Sequence, residues 1–243
     1  MTAVAIILAR MGSSRLPGKI LAELAGQPML ARCVARLGRA QMLDDLLVAT
    51  TRSPVDDVTT ELCAARGWRC FRGSEDDVLD RYYQAARLQD TDVVVRVTSD
   101  CPFIEPEIVD RVIREFIERQ PDVDYASNVI PERTYPRGLD VEVFTVTALE
   151  RAWREDNNAA WREHVTEYIL RNPDRFRLHG VRHAENLSQW RWTVDTAEDL
   201  TLARLIYKAF GHDLFSWRDV LALLAEHPEW AEINRDIRQK SVD

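Results

Sequence analysis

Ala3-Val-Ala-Ile-Ile-Leu-Ala9, followed at once by Arg10-Met-Gly-Ser-Ser-Arg-Leu-Pro-Gly-Lys19, decides how the rest of the chain is read. The first part is an unbroken apolar run of the kind shown by a strand buried on both faces. The second is a loop of small residues carrying three cations, Arg10, Arg15 and Lys19. Open α/β sheets bind ligands beyond the carboxyl ends of their strands, which is where this loop begins. Glycine and serine let backbone N–H groups approach an anion, and the cations can neutralise several negative charges together. A plain basic surface turn has a similar composition. Position, charge and small residues agree better with a polyphosphate site, which makes Arg10, Met11, Gly12, Ser13, Ser14, Arg15 and Lys19 candidate nucleotide-binding residues.

The loop departs from a Walker A motif, which has four residues between its glycines and Ser or Thr after the lysine. Here five residues separate Gly12 from Gly18, and Ile20 follows Lys19. Isoleucine cannot ligate magnesium, so a triphosphate loop of this kind needs its metal held elsewhere. The G-x-G-x-x-G spacing of a dinucleotide fold is absent as well.

A chain of 243 residues fits one domain. Its net charge of −8 argues against general nucleic-acid binding, because the phosphate backbone would be repelled. No apolar stretch approaches the ~20 residues needed to cross a bilayer, and the start lacks the features of a secretory signal. Cys33, Cys63, Cys70 and Cys101 show no C-x-x-C pair and no zinc spacing. They read as free thiols of a cytoplasmic protein.

Beyond the first loop, the pattern predicts a helix over 28–40, a strand over 46–50, a helix over 56–66, a strand over 68–71 and a helix over 76–88. A strand over 92–97, a helix over 105–119 and a strand near 124–127 follow. This βα alternation implies a mostly parallel sheet with helices on both faces. Regularity fades after residue 128. The pattern there predicts a strand over 140–144, helices over 146–155 and 159–171, strands over 175–181 and 190–194, and helices over 196–210, 215–226 and 227–238. The expected organisation is a single domain with a smaller substrate or dimerisation lobe inserted at about 128–190.

Arg96-Val-Thr-Ser-Asp100 carries a strand into a turn with one carboxylate, at the same sheet edge as the first loop. A lone aspartate there serves as a helix cap or as a metal ligand. A triphosphate site needs a divalent ion that the first loop does not hold, which favours ligation. Arg191-Trp-Thr-Val-Asp195 repeats the pattern ahead of another helix. Thr196 and Asp199 form an [ST]-x-x-[DE] capping box, leaving Asp195 free for a ligand. Asp140 and Glu142, two apart on a strand, share a face. They, Arg137 and His164 are candidate substrate contacts, while a solvated face or a packing role remains open for each. No base stands beside Cys101, so it reads as a small buried side chain. Trp153, Trp161, Trp190 and Trp192 read as core.

Taken in order, Arg10-Met-Gly-Ser-Ser-Arg-Leu-Pro-Gly-Lys19, Gly73-Ser-Glu-Asp-Asp-Val-Leu-Asp-Arg81, Arg96-Val-Thr-Ser-Asp-Cys-Pro102, Tyr135-Pro-Arg-Gly-Leu-Asp-Val-Glu-Val-Phe144, Arg162-Glu-His-Val-Thr166 and Asp195-Thr-Ala-Glu-Asp-Leu200 run over nearly the whole chain. With these motifs the chain resembles the cytidylyltransferases that make CMP-activated sugars, the CMP-ketodeoxyoctonate and CMP-acylneuraminate synthetase group. It is most similar to their spore-coat polysaccharide biosynthesis (SpsF) type. The resemblance implies a three-layer αβα nucleotidyltransferase fold, Rossmann-like and close to GT-A glycosyltransferases. It implies that Arg10, Ser14, Arg15 and Lys19 hold the phosphates of CTP, with Arg81, Thr98 and Ser99 beside the nucleotide. It also implies that Asp100 and Asp195 hold Mg²⁺, that Arg15, Lys19 and Asp100 are catalytic, and that the protein is a homodimer acting on a sugar. The ulosonic-acid branch carries Gln-Gly-Asp where this chain has Thr98-Ser99-Asp100. A GT-A-like glycosyltransferase is disfavoured because Asp100 lacks the Asp-x-Asp partner. A non-catalytic nucleotide-binding homologue is the third reading.

Overall fold

A computed structural model describes residues 1–239. The chain runs β1 (Ala3–Leu8), β2 (Glu23–Leu24), β3 (Gln27–Pro28), α1 (Met29–Leu37), β4 (Asp45–Thr51), α2 (Asp57–Arg66), β5 (Arg69–Gly73), α3 (Val78–Arg87), β6 (Val93–Thr98) and α4 (Pro106–Glu118). It continues with β7 (Tyr125–Ser127), β8 (Glu142–Thr145), α5 (Val146–Glu155), α6 (Ala159–Arg162), α7 (Glu167–Arg171), β9 (Leu178–Gly180), α8 (Ala197–Phe210), α9 (Trp217–Glu226) and α10 (Pro228–Ala231).

Seven strands form one sheet in the order β5-β4-β1-β6-β8-β7-β9, while β2 and β3 make a small separate ribbon. Within the large sheet only β8 is reversed, lying antiparallel to both neighbours. The remaining pairings are parallel. Because β1 and β6 are adjacent and parallel, the loops that leave them emerge side by side at one edge.

Side chains alternate across a strand, so a strand buried on both faces reads as a continuous apolar run. In β1, Ala3, Ala5 and Ile7 enter one core and Ile6 the other; in β6, Val93, Val95 and Val97 oppose Val94. The first core packs α1, α4, α8 and α9 against the sheet, and the second packs α3, α5 and α7. This is the expected three-layer αβα arrangement with a mostly parallel sheet. The segment 128–190 contributes β8 and β9 to that sheet.

Several local expectations differ from the structure. The helix expected over 159–171 is two short helices, broken at Val165, whose φ is +59°. The break buries Val165 and brings the Thr166 hydroxyl to Glu142. No strand forms over 190–194, which touches the 137 segment through an isolated Arg137–Arg191 bridge. The last expected helix shrinks to Pro228–Ala231. Asp140 precedes β8 instead of lying in it. All four cysteines are free, and among the described residues no helix is long and apolar enough to cross a membrane.

Gly138 ties the 135–139 loop to the 190–193 segment. Its φ is +105°, and a Cβ there would lie 2.5 Å from the Thr193 nitrogen. The close approach lets the Arg137 carbonyl accept N–H bonds from Trp192 (2.7 Å) and Thr193 (3.2 Å). Gly138→Ala is expected to cost about 2–4 kcal/mol, combining backbone strain with overpacking. Gly12→Ala, which meets nothing within 4 Å, should stay within about 0.5 kcal/mol. Urea denaturation of the two variants checks this.

Candidate active site

The Arg10–Lys19 loop is closed on itself: the Gly18 N–H donates to the Met11 carbonyl at 2.9 Å, and the Leu16 N–H to Ser13 Oγ at 3.3 Å. Behind it sits Asp56, buried just ahead of α2. Its carboxylate accepts the Met11 N–H at 2.6 Å and the hydroxyl of Thr51, the last residue of β4. A fixed acceptor therefore holds the loop backbone against the sheet.

Lys19 turns from the loop toward two carboxylates. Its ammonium donates to Asp100 Oδ2 at 2.7 Å, Asp195 Oδ1 at 2.8 Å and the Val194 carbonyl at 2.9 Å. Burial works against its charge, but Asp100 and Asp195 outweigh that and raise its pKa. Asp195 also receives Arg15 at 2.9 Å and Arg191 at 3.0 Å. Burial would raise the Asp195 carboxyl, yet Lys19 first, then Arg15 and Arg191, bring it below the ordinary aspartate value. Asp100 is oriented by Thr98, whose hydroxyl donates to Oδ1 at 2.6 Å, and its carbonyl accepts the Val194 N–H at 2.8 Å. The ends of β6 and of the 190–195 segment are thus locked together around Lys19.

A cavity of about 290 Å³ opens beside this cluster, lined by Arg137, Asp140, Glu142 and His164 as well as Asp100 and Asp195. The four candidate substrate residues therefore share one cavity. Two of them are already engaged. Glu142 pairs with Arg96, directly opposite it in the β6–β8 register, and accepts Thr166 Oγ1 at 2.6 Å. Asp140 accepts both guanidinium nitrogens of Arg133 and the Gly138 N–H. The other two stand free: among the described residues, neither the Arg137 guanidinium nor the His164 ring makes a hydrogen bond or ion pair. Burial, then the neighbouring Arg133 charge, pushes the Arg137 pKa down. His164 lies in the turn between α6 and α7 rather than on a helix.

On the other side of the loop, Arg81 is buried at α3, packed so closely on Gly73 that a Cβ there would meet its Cγ at 2.6 Å. Its guanidinium donates to the Ser74 carbonyl, and its Nε is buried without a partner. Burial, then the charge of Arg10, lowers its pKa to about 10. Arg10 itself reaches Glu163 at 3.3 Å. Ser99 is buried in the turn ahead of Asp100, and Gly12 and Ser14 lie on the exposed rim of the loop. Burial, then Asp100, holds the Cys101 thiol well above its ordinary pKa.

Some participants carried no motif. Asp56 read as the start of a helix. Asp199 read as a cap, and does cap α8 in a reciprocal box with Thr196. It also accepts Arg191, at 2.9 Å and 3.0 Å, and thereby aims Arg191 at Asp195. Buried Asn234 donates to Asp199 and to the Arg191 carbonyl, and Gln239 accepts from Arg191. Arg191 and Asp199 fall in the Arg191–Asp195 and Asp195–Leu200 stretches that pointed toward this network, whereas Asp56, Asn234 and Gln239 fall in no motif.

Residues 4–208 match the family model described as cytidylyltransferase. The chain belongs to the cytidylyltransferase family. It is 32% identical to the spore coat polysaccharide biosynthesis protein SpsF of Bacillus subtilis, over 93% of this chain and 95% of that protein. It is 37% identical to an uncharacterised protein, MJ1063, of Methanocaldococcus jannaschii, over 99% of this chain and 98% of the other. A solved cytidylyltransferase from Leptospira borgpetersenii superposes with a TM-score of 0.91 at 31% identity, covering 99% of this chain and all of that one. The family is one of nucleotidyltransferases, and the fold agrees with it.

Asp56→Ala removes the acceptor of the Met11 N–H and the Thr51 hydroxyl. It is expected to lower stability by about 1–3 kcal/mol. Amide exchange should accelerate at Met11, and Asp56→Asn should retain part of the loss. Denaturation and hydrogen exchange measure both effects.

Proposed function

We propose that this cytidylyltransferase transfers CMP from CTP to a sugar hydroxyl, giving a CMP-sugar and pyrophosphate in surface polysaccharide or glycoconjugate synthesis. The observation that carries the reading is the convergence of Lys19, Arg15, Asp100 and Asp195 beside a cavity lined by Arg137 and His164, whose side chains have no hydrogen-bond or ion-pair partner among the described residues. An acidic sugar suits Arg137, whose guanidinium lacks a carboxylate partner among the described residues. The acceptor oxygen attacks the α-phosphorus of CTP and loses its proton, the bond to the β-phosphate oxygen breaks, and pyrophosphate leaves. Lys19 and Arg15 stabilise the charge that gathers on the departing phosphates, and the Gly12–Ser13 backbone cradles them. Arg10 and Arg81 flank the nucleotide side. His164 and Arg137 orient the acceptor, with Asp140 and Glu142 held in the cavity wall.

The donor set fits Mg²⁺. Two carboxylates from separate segments meet at one cationic point, and magnesium is commonly held by one or two carboxylates together with substrate phosphates and water. Among the described residues no group of three or more His, Cys, Asp or Glu is placed as a self-sufficient metal site, so the nucleotide would supply the remaining ligands. Asp100 and Asp195 would hold the ion, which supplies charge neutralisation at the phosphates and acidifies the acceptor hydroxyl. A homodimer is part of the same proposal, from the resemblance.

Calorimetry with CTP, UTP, GTP and ATP, each with and without Mg²⁺, is expected to show selective, Mg²⁺-dependent binding of CTP. A pyrophosphate-release screen over acidic sugars should then find turnover that Lys19→Ala and Asp100→Asn each lower about a hundredfold or more. Binding of no triphosphate, or tighter binding of a nucleotide sugar, would overturn the reading. CTP binding without turnover on any sugar would favour the non-catalytic homologue.

A further inference from the structure

We infer that Lys19, with Arg15, is the built-in counter-cation of the divalent-metal position, and that a polyphosphate must draw these cations away before Asp100 and Asp195 accept a metal ion. This rests on the polyphosphate reading of the loop and extends it to the order of binding.

Lys19 Nζ stands at hydrogen-bonding distance from both carboxylates at once, 2.7 Å from Asp100 and 2.8 Å from Asp195. An ion shared by the same two carboxylates needs the same space. The second oxygen of Asp195 is taken by Arg15 and Arg191. Asp100, Asp195 and Asp199 therefore face Lys19, Arg15 and Arg191, and the formal charges of the cluster cancel with no metal present. The side chains of Lys19 and Asp195 are only 11% and 12% exposed, so their attraction is screened far less than at an open surface.

A divalent cation arriving alone has to break three short contacts of Lys19 and add charge beside Arg15. A polyphosphate changes this, because Lys19 and Arg15 belong to the loop that would receive it. Once both turn to phosphate oxygens, Asp100 loses the charge of Lys19 while Asp195 keeps that of Arg191, and the net negative charge left on the pair attracts a divalent ion. Metal and polyphosphate then bind with positive coupling, which linkage makes reciprocal.

The test is Mn²⁺ binding, followed by electron paramagnetic resonance of free Mn²⁺ and by water-proton relaxation. The wild-type chain alone should bind Mn²⁺ weakly. Lys19→Met should bind it at least tenfold more tightly with no phosphate present, and Lys19→Arg, which keeps the cation, should remain weak. Adding Asp100→Asn to Lys19→Met should abolish the gain. A wild-type comparison needs no variant: relaxation enhancement with Mn²⁺ and inorganic tripolyphosphate should far exceed that with Mn²⁺ alone. Equal Mn²⁺ affinity in wild type and folded Lys19→Met, or equal enhancement with and without tripolyphosphate, would overturn the inference. Calorimetry of metal-free tripolyphosphate reports the loop reading separately. If tripolyphosphate binds and Lys19→Met gains nothing, the inference fails while that reading stands.

Discussion

Lys19 reaches across 81 positions of sequence to Asp100 and 176 to Asp195, and its hydrogen bonds bring the loop after β1, the turn after β6 and the segment before α8 to one point. None of these pieces is held there by a strand of the sheet, and Lys19 itself opens only a single 3₁₀ turn, Lys19–Leu21. The loop is irregular, Asp100 lies beyond its strand, and residues 190–195 form no strand at all. What they share is charge. The parallel pairing of β1 with β6 supplies the proximity, and the ammonium makes that proximity definite.

A buried charge cluster of this kind is weak evidence for stability, since desolvation offsets much of the attraction. Its effect is on specificity of arrangement, because removing one member leaves the others uncompensated. Asp199 illustrates how tightly the set is determined. It accepts the backbone N–H groups of Asp195 and Thr196 while binding Arg191, so one carboxylate starts α8 and aims the cation that faces Asp195. Asn234 then seals the far side of that network. Asp56 does comparable service beneath the loop, where a carboxylate that reads as a helix start grips the Met11 amide instead.

The sheet was legible in the sequence because β1 is an unbroken apolar run and β4 and β6 carry apolar runs at Leu46–Ala49 and Val93–Val95, and such runs are what burial on two faces demands. The cationic loop and Asp100 were legible for a related reason: a change from apolar to charged residues marks the sheet edge after β1 and β6, whereas Asp195 follows no strand. The later chain was harder. Leu170 and its neighbours carry helical spacing, but Val165 adopts a left-handed backbone that spacing does not reveal. The 190–194 stretch, with Trp190, Trp192 and Val194 at alternate positions, looks like a strand, yet its burial comes from packing on Phe103 and from close approach to Gly138, not from a ladder. Glu142 illustrates a subtler limit. Its face was foreseeable, whereas its pairing with Arg96 depends on the register of a reversed strand inserted between β6 and β7.

That reversed strand divides the cavity lining by position in the chain. One wall includes Thr98, Asp100 and Asp195, whereas Arg137, Asp140, Glu142 and His164 all come from one stretch of chain around β8. The walls are joined by the Arg96–Glu142 pair, the Arg137–Arg191 bridge and the close approach of Gly138 to Thr193. Arg10 of the loop also reaches Glu163, so a change in the β8 stretch is felt on the opposite wall and the two cannot be reshaped independently.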